Sequence, residues 1–184
     1  MKGWTQLGSI FFMDVFVFDF DNTFVFGPTV EEGKEKLLKL GYLPSYTSWF
    51  KRKESLDTSL FDFKINKDLL EIYKKPGLKI LSTNRVKKME DEVKSLLRKF
   101  DISFDHYSFD EDPKYPYNLD KGNKGDRLLR LIKDINVNCL YFYDDDINNL
   151  DEVNDKLKTL DISYELYLVS KESKELKYDR HKFS

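Results

Sequence analysis

Val15-Phe16-Val17-Phe18-Asp19-Phe20-Asp21-Asn22-Thr23 is the stretch whose reading decides the fold. A run of β-branched and aromatic residues breaks into two carboxylates one residue apart, with a hydroxyl two residues on. A fully apolar run bounded by acidic and turn-prone residues is the pattern of a strand buried on both faces of a parallel sheet. In open α/β sheets ligands gather at the carboxyl ends of such strands. Asp19 and Asp21 therefore stand where chemistry is expected.

Outward from this strand, two further apolar runs end in reactive residue types. Leu78-Lys79-Ile80-Leu81 runs into Ser82-Thr83-Asn84-Arg85, and the strand from Cys139 to Tyr143 runs into Asp144-Asp145-Asp146. A weaker strand covers His106 to Phe109, and a last one covers Tyr164 to Val169. Between them lie apolar residues at helical spacing: Leu69, Leu70 and Ile72; Val86, Met89, Val93, Leu96 and Leu97; Leu128, Leu129 and Ile132; Leu150, Val153 and Leu157. Thr29 with Glu32 has capping-box spacing and predicts a helix to about Leu40, stopped by Gly41 and Pro44. Strands alternating with helices predict an α/β, Rossmann-like parallel sheet with helices on both faces. Every strand then points its carboxyl end to one edge, where Asp19, Asp21, Thr83, Asp144 and Asp145 become neighbours. Lys124, at the start of a helix, joins them if that helix begins on the same side.

The rest of the chain sets bounds. At 184 residues it predicts one domain over 13–170, with residues 1–12 as an N-terminal appendage, a small insert at about 24–64, and a charged, frayed tail over 171–184. Lysine plus arginine number 31 against 33 acids, a balance that argues against a dedicated nucleic-acid binder. Asp14 interrupts the apolar run Ile10 to Phe18, no small-residue cleavage site follows, and the run is too short to span a bilayer. The expectation is a cytoplasmic or other intracellular protein without signal peptide or transmembrane segment. The single cysteine, Cys139, excludes an internal disulfide and lies in a strand with no basic neighbour to make it a nucleophile.

Converging carboxylates repel unless a cation sits among them. Oxygen ligands suit Mg²⁺, which takes a few carboxylates together with water and a substrate phosphate. A lysine and a hydroxyl facing the same point are suitable partners for phosphoryl oxygens. One aspartate can attack phosphorus to give an acyl phosphate, and the second, two residues along, can trade a proton with the leaving group. The parts predict metal-assisted phosphoryl transfer. Lys121 competes with Lys124 for the cationic role, and Ser82 with Thr83 for the hydroxyl.

The chain also resembles a known family. Phe18-Asp19-Phe20-Asp21-Asn22-Thr23, Ser82-Thr83, Lys124 and Tyr143-Asp144-Asp145 are similar to the four motifs of the haloacid dehalogenase (HAD) superfamily, in the family's order. The resemblance implies Asp19 as nucleophile and Mg²⁺ ligand, and Asp21 as general acid/base and a metal ligand through its backbone carbonyl. Thr83 and Lys124 would hold the phosphoryl group, and Asp144 with Asp145 would complete the metal site. Asn22 stands where glycine is common in the family. Within it, Thr83-Asn84-Arg85 resembles the Thr-Gly-Arg signature of HAD domains associated with Swiss-army-knife RNA repair proteins and of polynucleotide 3′-phosphatase domains. That implies Asn84 and Arg85 as substrate-binding residues and a small or absent cap.

Blander roles are available to several of these residues. Asp145 and Asp146 can stabilise the start of the following helix. Tyr46-Thr47-Ser48-Trp49-Phe50-Lys51-Arg52-Lys53 has the aromatics and cations of a nucleic-acid contact, but with a near-neutral total charge the preferred reading is that its rings pack under the insert while its cations are solvated. The expected function is a Mg²⁺-dependent phosphomonoesterase acting on a phosphorylated substrate, with nucleic-acid ends as one class. A nucleotide or other small-molecule phosphatase, and a binding module with little turnover, are the alternatives.

Overall fold

The computed structural model describes residues 11–43, 48–110 and 122–170, and the backbone of 178–181. Lys121, Tyr46, Thr47, the loop to Tyr117 and most of the two termini lie outside the described residues. The strands are β1 (Met13–Phe18), β2 (Val25–Phe26), β3 (Lys64–Ile65), β4 (Leu78–Val86), β5 (His106–Asp110), β6 (Val137–Asp144), β7 (Ser163–Val169) and β8 (Tyr178–His181). The α-helices are α1 (Val30–Lys39), α2 (Lys67–Tyr73), α3 (Glu90–Arg98), α4 (Lys124–Ile132) and α5 (Ile147–Leu157).

The main sheet has the order β5-β4-β1-β6-β7-β8. Its first five strands are mutually parallel, which makes the fold α/β and Rossmann-like. β1 is central because it is apolar on both faces. Phe16 and Phe18 point into one core with Leu69 of α2 and Val93 and Leu96 of α3, while Val15 and Val17 point into the other with Leu128 of α4 and Leu150 of α5. The chain runs outward from β1 through β4 to β5, then returns to lay β6 on β1's other side. The strand order reverses between β1 and β6, the crevice where ligands bind in such sheets.

An aromatic layer fixes the register beneath that crevice. Phe18 stacks on Tyr143 at 5.3 Å, and Tyr143 on Tyr167 at 4.8 Å. These offset stacks tie β1, β6 and β7 together one residue before Asp19 and Asp144.

Two parts differ from the sequence expectation. The tail read as frayed contains β8, which pairs antiparallel to β7 with Leu166 opposite His181 and Val169 opposite Tyr178. Its run Tyr178-Asp179-Arg180-His181 is too short and polar to announce a strand. Pairing satisfies the backbone groups of β7 that an open edge would leave exposed. The aperiodic stretch after α1 forms two short 3₁₀ turns, Trp49–Lys51 and Lys53–Leu56. They serve a small core of Leu37, Trp49 and Phe61, in which the two rings meet edge-on at 5.7 Å. Thr29 caps α1 through a full capping box with Glu32. Residues 27–63 rise from the antiparallel pair β2–β3, where Val25 lies opposite Ile65.

Candidate functional site

β1 delivers Asp19 directly into the crevice. Phe18 is in register with Tyr143, and the Asp19 N–H donates to the Tyr143 carbonyl at 2.9 Å. The next residues on the two strands are then Asp19 and Asp144, side by side and both buried. Lys124, from the first turn of α4, joins them. Its Nζ donates to Asp19 Oδ1 at 2.7 Å and to Asp144 Oδ2 at 2.6 Å, with 1% of its side chain exposed. The remaining oxygens are held as well. Thr23 Oγ1 donates to Asp19 Oδ2 at 2.9 Å, while the Asp146 N–H and Asn149 Nδ2 donate to Asp144 Oδ1 at 2.9 and 3.0 Å.

Electrostatically, this is a crowded place. Burial pushes the Asp19 carboxyl well up; Lys124 opposes that, and Asp144 and Asp145 push it further. Burial pulls the Lys124 ammonium down, but Asp19 and Asp144 together outweigh it and hold it above the ordinary lysine range. An ammonium bonded to two carboxylates keeps its proton, so it is the negative charge that burial penalises here. Asp19, Asp144 and Asp145 offer oxygens within 4.8 Å of one another. An all-oxygen donor set of this kind fits a hard divalent cation. Lys124 supplies one positive charge against three carboxylates, so a dication suits the charge as well as the donors.

Asp21 stands apart from this cluster. The backbone turns sharply at Asn22, whose φ of 57° lies in the left-handed region that asparagine tolerates better than most residues. Arg85, from β4, holds Asp21 bidentately: Nε to Oδ2 and Nη2 to Oδ1, both at 2.8 Å. Its Nη1 donates to the Phe50 carbonyl at 3.0 Å and to Ser55 Oγ at 2.8 Å, both in the insert. The guanidinium also lies over the Phe20 and Phe50 rings.

No protein-family model, curated protein or solved structure matches the chain.

The sequence candidates are thus brought together unevenly. Asp19, Lys124, Asp144 and Asp145 form one cluster; Asp21 and Arg85 form a second, beside it. Thr83 is buried, and its Oγ1 accepts from the Arg85 N–H at 3.0 Å. Ser82 Oγ is buried with no partner among the described residues. Ser82 follows Leu81, the register partner of Phe18, so it sits on the rung beside Asp19. Asn84 is exposed and bridges Asn149 and Arg127. Asp146 caps α5 by accepting from the Asn148 N–H. In the basic aromatic stretch, Trp49 is 2% exposed and turned into the insert, so its ring is not open to stack on a base.

Two contributors, Asn149 and Arg127, went unread in the sequence, and Thr23 was read only as a hydroxyl near the two acids, with no role given to it. Thr23 secures the second oxygen of Asp19, and Asn149 steadies Asp144. Arg127 is buried and donates to the Thr83 carbonyl at 3.0 Å and to Ser108 Oγ at 3.1 Å, fixing the end of β4. Its signal was available: it lies three residues after Lys124 and so shares its helix face.

Proposed function

We propose that the chain is a Mg²⁺-dependent phosphomonoesterase of haloacid dehalogenase type that works through an aspartyl-phosphate. The observation that carries the reading is the buried contact of Asp19, Lys124 and Asp144 at the point where strand order reverses. A carboxylate, an ammonium and a cation-suited acid cluster at one spot are the parts that phosphoryl transfer needs, and few other reactions need all three.

In the first half-reaction an Asp19 oxygen attacks phosphorus and the bond from phosphorus to the leaving oxygen breaks. That oxygen takes a proton from Asp21 and departs as the alcohol. In the second half, Asp21 accepts a proton from water as the water oxygen attacks phosphorus. The Asp19–phosphorus bond breaks, and inorganic phosphate is released. Both oxygens of Asp21 already accept from Arg85, an arrangement that suits the proton-accepting half. Lys124 holds Asp19 in place and faces the charge on the phosphoryl oxygens, and Thr23 fixes which Asp19 oxygen attacks. Asp19, Asp144 and Asp145 would hold the Mg²⁺, whose contribution when bound is to neutralise phosphoryl charge.

Phosphate release from aryl phosphates, mononucleotides and 3′-phosphorylated oligonucleotides, with and without Mg²⁺, tests the reading. Release is expected only with Mg²⁺ and is expected to vanish in Asp19→Asn. Release that survives Asp19→Asn would sink the nucleophile assignment. Tight oligonucleotide binding with no release from any ester would replace the enzyme with a binding module.

A further inference from the structure

Beside Asp21 lies a cavity of about 320 Å³, floored by Asp21 and Arg85 and walled by Phe20, Trp49, Phe50 and Phe63. Asp19, Lys124 and Asp144 do not line it. We propose that this cavity receives the leaving group of the phosphomonoester, and that the leaving group is an uncharged alcohol bearing one or two aromatic rings. The inference rests on the phosphatase reading above and narrows its substrate.

Three observations carry it. The first is placement: a group that exchanges a proton with the leaving oxygen must touch that oxygen, and Asp21 is the only carboxylate shared between the reaction crevice and this cavity among the described residues. The second is chemistry: the half-buried rings of Phe50, from the insert's 3₁₀ turn, and Phe63, from the approach to β3, line the cavity, and the buried rings of Phe20 and Trp49 add apolar bulk to its wall. Flat apolar walls of this kind match a ring by stacking and edge contacts. The third is charge. Arg85 is the single cation among the described lining residues, and its bonds go to Asp21 and the insert. Glu31 adds negative charge to the wall. A leaving group carrying further phosphates, such as a nucleoside diphosphate or a polynucleotide strand, would meet among the described lining residues only Arg85, whose guanidinium is already engaged by Asp21 and the insert. The size agrees, since a cavity of roughly 150 Å³ houses one benzene and this one is on the order of twice that.

The test compares kcat/KM, with Mg²⁺ present, for phenyl phosphate and a nucleoside monophosphate against glycerol phosphate and a 3′-phosphorylated oligonucleotide. The ring-bearing small esters are expected to lead glycerol phosphate by roughly ten-fold or more, the effect of burying one ring against flat walls. Val30→Trp, which fills the cavity from the half-exposed start of α1, is expected to bring that ratio close to one. Equal turnover of glycerol phosphate, preference for the oligonucleotide, or a ratio untouched by Val30→Trp would overturn the proposal. Phenylphosphonate, which cannot be hydrolysed, supplies a second readout through Trp49 fluorescence in a Trp4→Phe background. Quenching that Val30→Phe, which adds bulk there without a second indole, abolishes supports the cavity even if no ester is turned over, in which case the phosphatase reading alone fails. Turnover without quenching or ring preference would leave the phosphatase and remove the cavity assignment.

Discussion

Around Asp19 the side-chain partners come from the turn that follows β1, the helix start and the sheet: Thr23, Lys124 and, through Lys124, Asp144. Around Asp21, two residues on, the partners come by way of Arg85 from the insert: the Phe50 carbonyl and Ser55. The first neighbourhood is closed and nearly dry, with Asp144 fully buried; the second is partly open, with 26% of the Asp21 side chain exposed. The contrast teaches a division of labour. The charged groups held at fixed distances belong to the scaffold, while Asp21 is tied through Arg85 to an insertion that can change without disturbing the sheet.

Removing the ammonium breaks the first neighbourhood and carries the largest expected effect. Lys124→Met leaves Asp19 and Asp144 facing each other without their buried cation, a loss of about 3–5 kcal/mol that a lowered urea midpoint would register. The companion observation is ligand linkage: Mg²⁺ at a hundred times its dissociation constant should stabilise the wild type by about 2.7 kcal/mol. A midpoint indifferent to Mg²⁺ would count against the acid cluster as a cation site.

Arg85→Ala strikes the second neighbourhood. It removes the shared partner of Asp21, the Phe50 carbonyl and Ser55 Oγ at once, though Ser55 keeps its bond to the Arg52 carbonyl, and about 2–3 kcal/mol of stability should go with it. Arg85→Lys keeps the charge but loses the fork, so it should recover stability better than turnover. If both variants kept wild-type rates, the coupling between Asp21 and the insert would have no catalytic meaning.

How much of this contrast was legible in the sequence depends on the range of the interaction. The Asp19 cluster could be read because parallel topology alone gathers strand ends, and the apolar runs before Asp19, Thr83 and Asp144 announce those ends. The Asp21–Arg85 pair could not, because no periodicity tells which way a buried arginine at the end of β4 will point. Trp49 was the easier case: despite Lys51, Arg52 and Lys53 beside it, the preferred reading had the aromatics packing under the insert, and the ring does pack on Phe61 and over Gly33. β8 was hidden by its polarity, since an edge strand is held by backbone bonds rather than by an apolar pattern.

A smaller effect probes the insert's own packing. The Trp49 ring lies where a side chain at Gly33 would stand, so Gly33→Ala forces the ring aside and should cost about 1–3 kcal/mol. The cost should appear as faster proteolysis within 27–63 while the urea midpoint of the sheet moves less. The smallest effect lies outside both neighbourhoods. Lys156 donates to Asp126 at 2.8 Å, joining α4 to α5, and this bond lowers the Asp126 carboxyl below its usual range. A depressed folded-state value means the contribution is present above the ordinary carboxylate range and lost as pH falls through the folded value. Both side chains are more than a third exposed or close to it, so Asp126→Asn should cost under about 1 kcal/mol near neutral pH, less in high salt, and nothing in strong acid. Thermal melts at the two pH extremes would measure it.

The Asp19 amide closes a rung of the sheet with the Tyr143 carbonyl. In hydrogen-exchange terms, that proton can leave only when β1 and β6 separate at the centre of the molecule. Its exchange rate should therefore track opening of the whole domain, and amides of the insert should exchange sooner. A chain that loosens its insert would still keep Asp19 as still as its most protected strand.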